Sequence, residues 1–321
     1  MAVLVYTENW NGKFKKLSCE LVSYASAVAE MLKMKVVAVS IGQAEEEELK
    51  KLADYGAAKV VNIVSDKFST LDNLLFTRVL EDVAKAESAK VIVFSNNNSG
   101  KALAPRLSVR LKAGIGPGVS RLPLNVEPFT VYKRTYSGNA FAHLVIKTDI
   151  KIITLAQNSF ELVKKPTGAV PEIIAYNNDL QGSTVVNSVE RQSGKVLLTD
   201  ADIVVSGGRG MKSPDNWGPL EELATLLGGA TACSRPVSDE GWRPHEEHTG
   251  QTGKIISPNL YIAVGISGAT QHLAGISSSK YIVAINTDKD APIFEAAQYG
   301  IVGDAMKVLP GLVNAVRELK K

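Results

Sequence analysis

The residues of this 321-residue chain best equipped for chemistry lie between Thr249 and Ile276, TGQTGKIISPNLYIAVGISGATQHLAGI. Glycines at 250, 253, 265, 268 and 275 are interleaved with Gln251, Thr252, Ser267, Thr270, Gln271 and His272. The apolar run Tyr261 to Val264 reads as a buried strand, Gly265 to Gly268 as a tight turn, and Ala269 to Leu273 as the start of a helix. That order aims unpaired backbone N–H groups, and the positive end of a helix dipole, at an anion above the strand. A phosphate or pyrophosphate is the expected guest.

Upstream, SGGRG at 206 to 210 follows a strand pattern, Ile203 to Val205, and precedes helix periodicity from Pro214 to Leu227, with Gly228 and Gly229 as the stop. Gly208 and Gly210 give only the first part of a G-x-G-x-x-G pattern, because position 213 is serine. Arg209 sharpens the signal, since its planar fork at a strand's carboxyl end suits a phosphate. Ser234 and Arg235 follow Cys233 at the end of another short strand, before a loop holding Asp239, Trp242 and PHEEH. In that cluster His245 and His248 stand three apart, not the four of H-E-x-x-H. No further Cys or His lies near enough in sequence to complete a zinc set, so no metal is expected. Ser267 falls short of a hydrolase elbow, because Ala269 occupies the place of the second glycine in G-x-S-x-G. Asn286 ends the strand Tyr281 to Ile285, and Asp304 follows Ile301 and Val302. Arg209, Arg235, Ser267, Asn286 and Asp304 are therefore expected on one rim, at the carboxyl ends of parallel strands.

An α/β framework must hold that rim. In the first hundred residues, strand patterns at Val3 to Tyr6, Val36 to Ile41, Lys59 to Val64 and Val91 to Phe94 alternate with helical faces. Those faces are Leu17, Leu21, Val28, Leu32 and then Leu71, Leu75, Val79, Val83, with an acidic helix start at Glu45 to Glu48. Strands so apolar imply a parallel sheet covered on both sides. The polar loop after Phe94, Asn96 to Ser99, suits either a ligand crevice or ordinary caps. From Pro117 to Asn187 strands replace helices: Thr130 to Tyr136, Ala140 to Ile146 and Lys151 to Leu155 read as an antiparallel extension, with Ser137, Gly138 and Asn139 as a hairpin turn. Pro166 to Pro171 and Asn177 to Thr184 read as turns, and the polar run Glu190 to Lys195 places a domain boundary near 190. Domains of 1–190 and 191–321 follow. In the second, Ala291 to Gly300 has the pieces of a short helix, and Met306, Leu309, Leu312, Val313 and Val316 mark a closing one.

Composition narrows the classes. Hydrophobic residues make up 45% and charged residues 21%, ordinary values for a globular protein. A net charge of +3, from 36 Lys and Arg against 33 Asp and Glu, gives no nucleic-acid footprint. No apolar run approaches the roughly 18 to 20 residues that span a bilayer. Cys19 and Cys233 fit no disulfide framework or metal spacing, and MAVLVYTENW has no leader pattern, so a cytoplasmic location is expected.

Taken together, SGGRGMKS at 206 to 213, SRP at 234 to 236, GQTGK at 250 to 254, LYIAVGISGATQHLAG at 260 to 275, AIN at 284 to 286, APIF at 291 to 294 and YGIVGD at 299 to 304 resemble the electron transfer flavoprotein alpha subunit family. Residues 1–190 resemble its N-terminal domain more loosely, through VLVYTE and the βα alternation. The resemblance implies FAD in the C-terminal domain, at Arg209, Ser234, Arg235, Gly250 to Thr252, Ser267 to His272 (with Gly268, Ala269 and Thr270 in the turn), Asn286 and Asp304. It places Arg235, Thr252, Gln271 and His272 around the isoalloxazine, and Ser267, Asn286 and Asp304 on the pyrophosphate, ribose and adenine side. It further implies a heterodimer with a beta subunit that carries AMP and packs against the N-terminal domain. The implied role is an electron carrier without substrate turnover, between flavin dehydrogenases such as those for acyl-CoA and a membrane quinone reductase. Thr249, Thr270 and the PHEEH stretch depart from the common pattern without removing an implied flavin contact. Two other readings of the same rim have specific requirements. A nicotinamide-dependent oxidoreductase needs an acidic ribose residue some 20 residues after the glycine turn. Glu221 and Glu222 come too early for that, inside a helix. A nucleotide-binding module without redox role leaves Arg235 and His272 without a task.

Overall fold

The first strand, β1 (Ala2–Tyr6), is buried along its whole length, as a strand covered by helices on both faces must be. The structure, a computed structural model, describes residues 1–138, 140–177, 181–182, 184–189 and 196–320. The chain divides into two compact units: Met1–Thr135 with Asn139–Val189, and Tyr136–Gly138 with Glu190–Lys321. The boundary expected near 190, with the polar run after it, lies outside the described residues, as does Asn139 of the expected hairpin turn.

In the first unit a short hairpin, β2 (Asn9–Trp10) and β3 (Lys13–Phe14), leads to α1 (Lys16–Leu32). There follow β4 (Lys35–Ile41), α2 (Glu46–Asp54), β5 (Lys59–Val64), α3 (Asn73–Ala86), β6 (Ala89–Ser95) and α4 (Asn98–Leu111). The expected parallel pairing holds among β1, β4, β5 and β6. Leu71 is not part of a helical face: Asp72 caps α3 by accepting from the N–H groups of Leu74 and Leu75 at 2.9 Å, which fixes the start after Leu71.

The remaining strands are β7 (Gly114–Val119), β8 (Asn125–Val126), β9 (Phe129–Thr135), β10 (Ala140–Val145), β11 (Lys151–Leu155) and β12 (Pro171–Ala175). The ten-stranded sheet runs β10-β9-β7-β11-β6-β1-β4-β5-β12, with β8 on β9. Among the described residues the antiparallel extension is β8, β9 and β10, joined to the rest of the sheet through β7. Lys151–Leu155, expected there too, inserts parallel between β6 and β7. Its apolar Ile-Ile core suits a strand buried on both faces, and period alone does not reveal direction. The loop at Asn96 to Ser99 serves the fold: Asn97 and Ser99 hold the two oxygens of Glu8 at 2.8 Å, and Asn96 accepts from Thr154.

The second unit is built from β13 (Ile203–Gly207), α5 (Gly218–Leu227), β14 (Ala230–Cys233), α6 (Arg235–Asp239), β15 (Leu260–Val264), α7 (Thr270–Ile276), β16 (Tyr281–Asn286), α8 (Ile293–Ala296), β17 (Tyr299–Val302) and α9 (Ala305–Leu319). Asp239 therefore closes a short helix, and the helical part of 291–300 shrinks to α8. All pairings are parallel, in the order β14-β13-β15-β16-β17. One core joins Leu220, Leu223, Trp217, Leu309 and Val313 to one side of the sheet; another joins Ile256, Ile276 and Ile293 to the opposite side. Helices on both faces make the sheet doubly wound, and the order reverses between β13 and β15. In such sheets ligands bind outside the carboxyl ends of the strands at that reversal.

Candidate functional site

The turns after β13 and β15 meet at the reversal point because neither carries a side chain there. Gly265, with φ of +63°, brings its backbone against Gly210, and a Cβ on it would lie 2.7 Å from the Gly210 Cα. The N–H of Gly208 donates to Val264 and that of Gly210 to Gly265, locking the two turns together. A second close approach forms lower on the wall. A Cβ on Gly275, inside α7, would sit 2.5 Å from the Gly250 Cα. This contact lets the loop 248–254 lie against α7, where the Gln251 N–H donates to the Gln271 carbonyl at 2.8 Å. The other end of the loop is tied to β14 by the Thr249 N–H, which donates to the Cys233 carbonyl at 3.0 Å.

Between these walls lies a cavity of about 470 Å³, within the usual range for small-molecule and cofactor sites. It is lined by eleven of the expected residues: Arg209, Ser234, Arg235, Gly250, Gln251, Thr252, Ser267, Ala269, Gln271, His272 and Asn286. Gly268 is buried in the turn, where a Cβ would meet Ile293, and Thr270 is exposed at the first position of α7; neither lines the cavity. Asp304 also stands apart from the lining. Its carboxylate caps α9 by accepting from Met306 and pairs with Lys212 at 2.7 Å. That cation, chiefly, holds the Asp304 carboxyl below its ordinary range. Asn286 lines the cavity, but its amide nitrogen donates to the Ile266 carbonyl and its oxygen accepts from Asp288, so it also braces the turn.

Two cations face this space. Arg235 is partnered by Asp239 at 3.2 Å in an exposed pair, whereas no carboxylate among the described residues pairs with Arg209. The buried wall is different. His272 is 7% exposed, its Nε2 lies 2.9 Å from the Tyr261 hydroxyl, and its Nδ1 has no hydrogen-bond partner. Burial pushes its pKa down to about 4, against a smaller opposing effect of the Thr249 carbonyl. At neutral pH the ring is uncharged and offers a single unpaired nitrogen. An unpaired polar atom in such a place is costly unless a ligand pairs with it. Helix α7 has only seven residues, so its dipole contributes less to anion binding than the sequence suggests.

Sequence reasoning missed His248 and Thr249 as parts of the wall. His248 is buried, its Nδ1 is also unpaired, and its pKa is lowered by burial and by the neighbouring His245. The spacing in PHEEH speaks only to metal binding and carries no sign of this burial. Its Glu247 pairs with Arg243 through two contacts of 2.8 Å, and Gly253 leaves room for the His248 ring, which lies 2.8 Å from where a Cβ would stand. Cys233, beside the cavity, is buried with its thiol pushed up to about 12, so it is no nucleophile.

Fold and cavity define a doubly wound α/β domain with a cavity where the strand order reverses. Residues 197–277 match the family described as electron transfer flavoprotein FAD-binding domain, and residues 3–180 match the electron transfer flavoprotein domain. The chain is 36% identical to the electron transfer flavoprotein subunit alpha of Syntrophomonas wolfei, covering 99% of this chain and 98% of that protein. It is 37% identical to the subunit of the same description from Pseudomonas aeruginosa, over 98% and 100%, and 34% identical to that of Bacillus subtilis, over 99% and 98%. This chain belongs to the electron transfer flavoprotein alpha subunit family, and flavin binding and a heterodimer with a beta subunit go with that membership.

Proposed function

We propose that the cavity of the second unit holds the redox-active ring of FAD, and that the chain carries single electrons between protein partners. The observation that carries this reading is the unpaired Nδ1 of the buried His272, set in a glycine-walled cavity with Arg209 and Arg235 at its mouth. Bound FAD would supply the one-electron chemistry; the chain's residues bind it, orient it and set its potential. His272 offers a neutral hydrogen-bonding group, and Arg235 a positive charge, to a ring that gains negative charge on reduction. Thr252 and Gln271 complete the ring's surroundings, with Ser234, Gly250 and Gln251 beside them. Arg209 pairs with the pyrophosphate, and Ser267, Gly268, Ala269 and Thr270 form the turn beneath it. Asn286 and Asp304 serve the ribose and adenine side. A carboxylate accepts more bonds than Lys212 and Met306 use on Asp304, so it retains capacity for a ribose hydroxyl.

The beta partner is taken to carry AMP. Flavin dehydrogenases, those of fatty-acid oxidation among them, are the donors and a membrane quinone reductase the acceptor, with the complex in the cytoplasm. No helix among the described residues is long and apolar enough to cross a membrane. A carrier needs small, transient docking surfaces and no substrate-turnover machinery. The nicotinamide alternative gains nothing from Glu221 and Glu222, which lie on α5 and pair with Arg243 and Arg317. The test is FAD titration of the stripped complex. Stoichiometric binding that weakens in Arg209→Ala supports the reading; failure to bind FAD removes it.

A further inference from the structure

We propose that Tyr261 is a positioning residue for His272: its hydroxyl donates to Nε2, fixes the imidazole proton on Nδ1, and so makes the buried wall of the cavity a hydrogen-bond donor. Tyr261 stands on β15 and is fully buried; it does not line the cavity, whereas His272 does. Any effect of Tyr261 on a ligand therefore passes through the imidazole.

The direction of the 2.9 Å contact follows from the neighbours of each group. Burial holds the Tyr261 phenol protonated, well above the ordinary tyrosine range. Its proton needs an acceptor, and among the described residues the hydroxyl's hydrogen bond is to His272. The Ser206 hydroxyl, buried on β13, makes no hydrogen bond among the described residues. It is thus no competing acceptor. A phenol that gives to Nε2 leaves the neutral ring with its single hydrogen on Nδ1. With the opposite tautomer, the Tyr261 hydrogen would point at an N–H and Nδ1 would carry a lone pair in place of its hydrogen.

The chemical consequence is selectivity. A donor wall accepts a carbonyl oxygen or a ring nitrogen that gains negative charge, and an acceptor wall repels both. The link to a potential rests on the FAD reading above; the tautomer itself does not.

The experiment uses the complex coexpressed with its partner and labelled with ¹⁵N histidine. His272 is assigned among the chain's 4 histidines by its loss in His272→Asn. Long-range ¹H–¹⁵N spectra of the ligand-free parent are expected to show His272 protonated on Nδ1, and Tyr261→Phe is expected to shift it toward Nε2. With FAD bound, Tyr261→Phe should keep its flavin absorbance and lower the first reduction potential; a tenfold change in that equilibrium corresponds to about 59 mV. His272→Asn, whose amide nitrogen reaches the Nδ1 position, should retain more of the parent potential than His272→Gln. Should Tyr261→Phe fail to fold, the parent spectrum and the Asn/Gln pair still decide. A parent ring protonated on Nε2, or a tautomer and potential both unchanged in Tyr261→Phe, overturns the proposal. A complex that stays colourless with added FAD refutes the FAD reading, and the spectra then judge the tautomer alone.

Discussion

Substituting Gly275 by alanine attacks the cavity from a residue that does not line it. Gly275 lies inside α7, and its new Cβ would stand 2.5 Å, 2.6 Å and 2.8 Å from the Cα, N and C of Gly250. Ordinary contacts begin at 3.4 Å, and the obstacle is backbone, so no side chain can swing away. Either α7 or the loop 248–254 must retreat by close to 1 Å, a scale at which inserted methyls cost about 1–3 kcal/mol. The loop is the weaker wall, because between Thr249 and Lys254 its ties are a handful of backbone bonds, among them Gln251 to Gln271. Its retreat would carry Gln251 and Thr252 away from the bound ring. If the whole cost falls on binding, FAD affinity drops by roughly 5- to 150-fold at about 1.4 kcal/mol per tenfold. Flavin fluorescence titration of the stripped complex measures this directly. Parent affinity in Gly275→Ala, with α7 intact by circular dichroism, would refute the view that the glycine contact sets the loop.

Gly311 is the matched control: it lies inside α9 with nothing within 4 Å of a new Cβ, so Gly311→Ala should raise stability by about 0.5–1 kcal/mol in urea unfolding and leave FAD affinity alone. His272→Ala removes a hydrogen-bond donor from the reduced ring and should lower the first reduction potential by on the order of 60 mV while FAD still binds, as dye equilibration would show; an equal potential sinks the assignment. The same histidine makes ligand-free stability depend on pH. Its pKa falls from 6.5 unfolded to about 4 folded, so the unfolded chain binds more protons between those values. Stability from this group is fully present above about 6.5 and is lost as pH falls through about 4, about 3.5 kcal/mol in all at about 1.4 kcal/mol per unit. Urea midpoints measured between pH 7 and 4.5 should fall more steeply in the parent than in His272→Gln.

Much of the second unit was legible because its signals are local. An apolar run ending in glycine gave β13 and β15, Gly228 in a left-handed cap ended α5, and Asp304 began α9. The first unit yielded its helices and central strands for the same reason. β7 escaped because GIGPGV carries the residues of a turn, and its strand geometry comes from pairing with β11. β12 escaped because Pro171 opens it and it lies at the sheet edge, paired with β5. In the cavity, residue types pointed to the right segments, and contacts across the fold decided their use. Nothing in the chain's order shows that Gly250 must clear Gly275, that Tyr261 backs His272, or that Lys212 draws Asp304 away from the cavity lining.

The central claim is that one flavin sits in this cavity and takes electrons singly. An anaerobic reductive titration of the complex, followed by visible absorbance, tests it most directly. The expected result is one FAD per alpha chain, reduced in two resolved one-electron steps, the first displaced in His272→Ala and Arg235→Ala. A complex that remains colourless with FAD, or one whose flavin potentials ignore both substitutions, would contradict it.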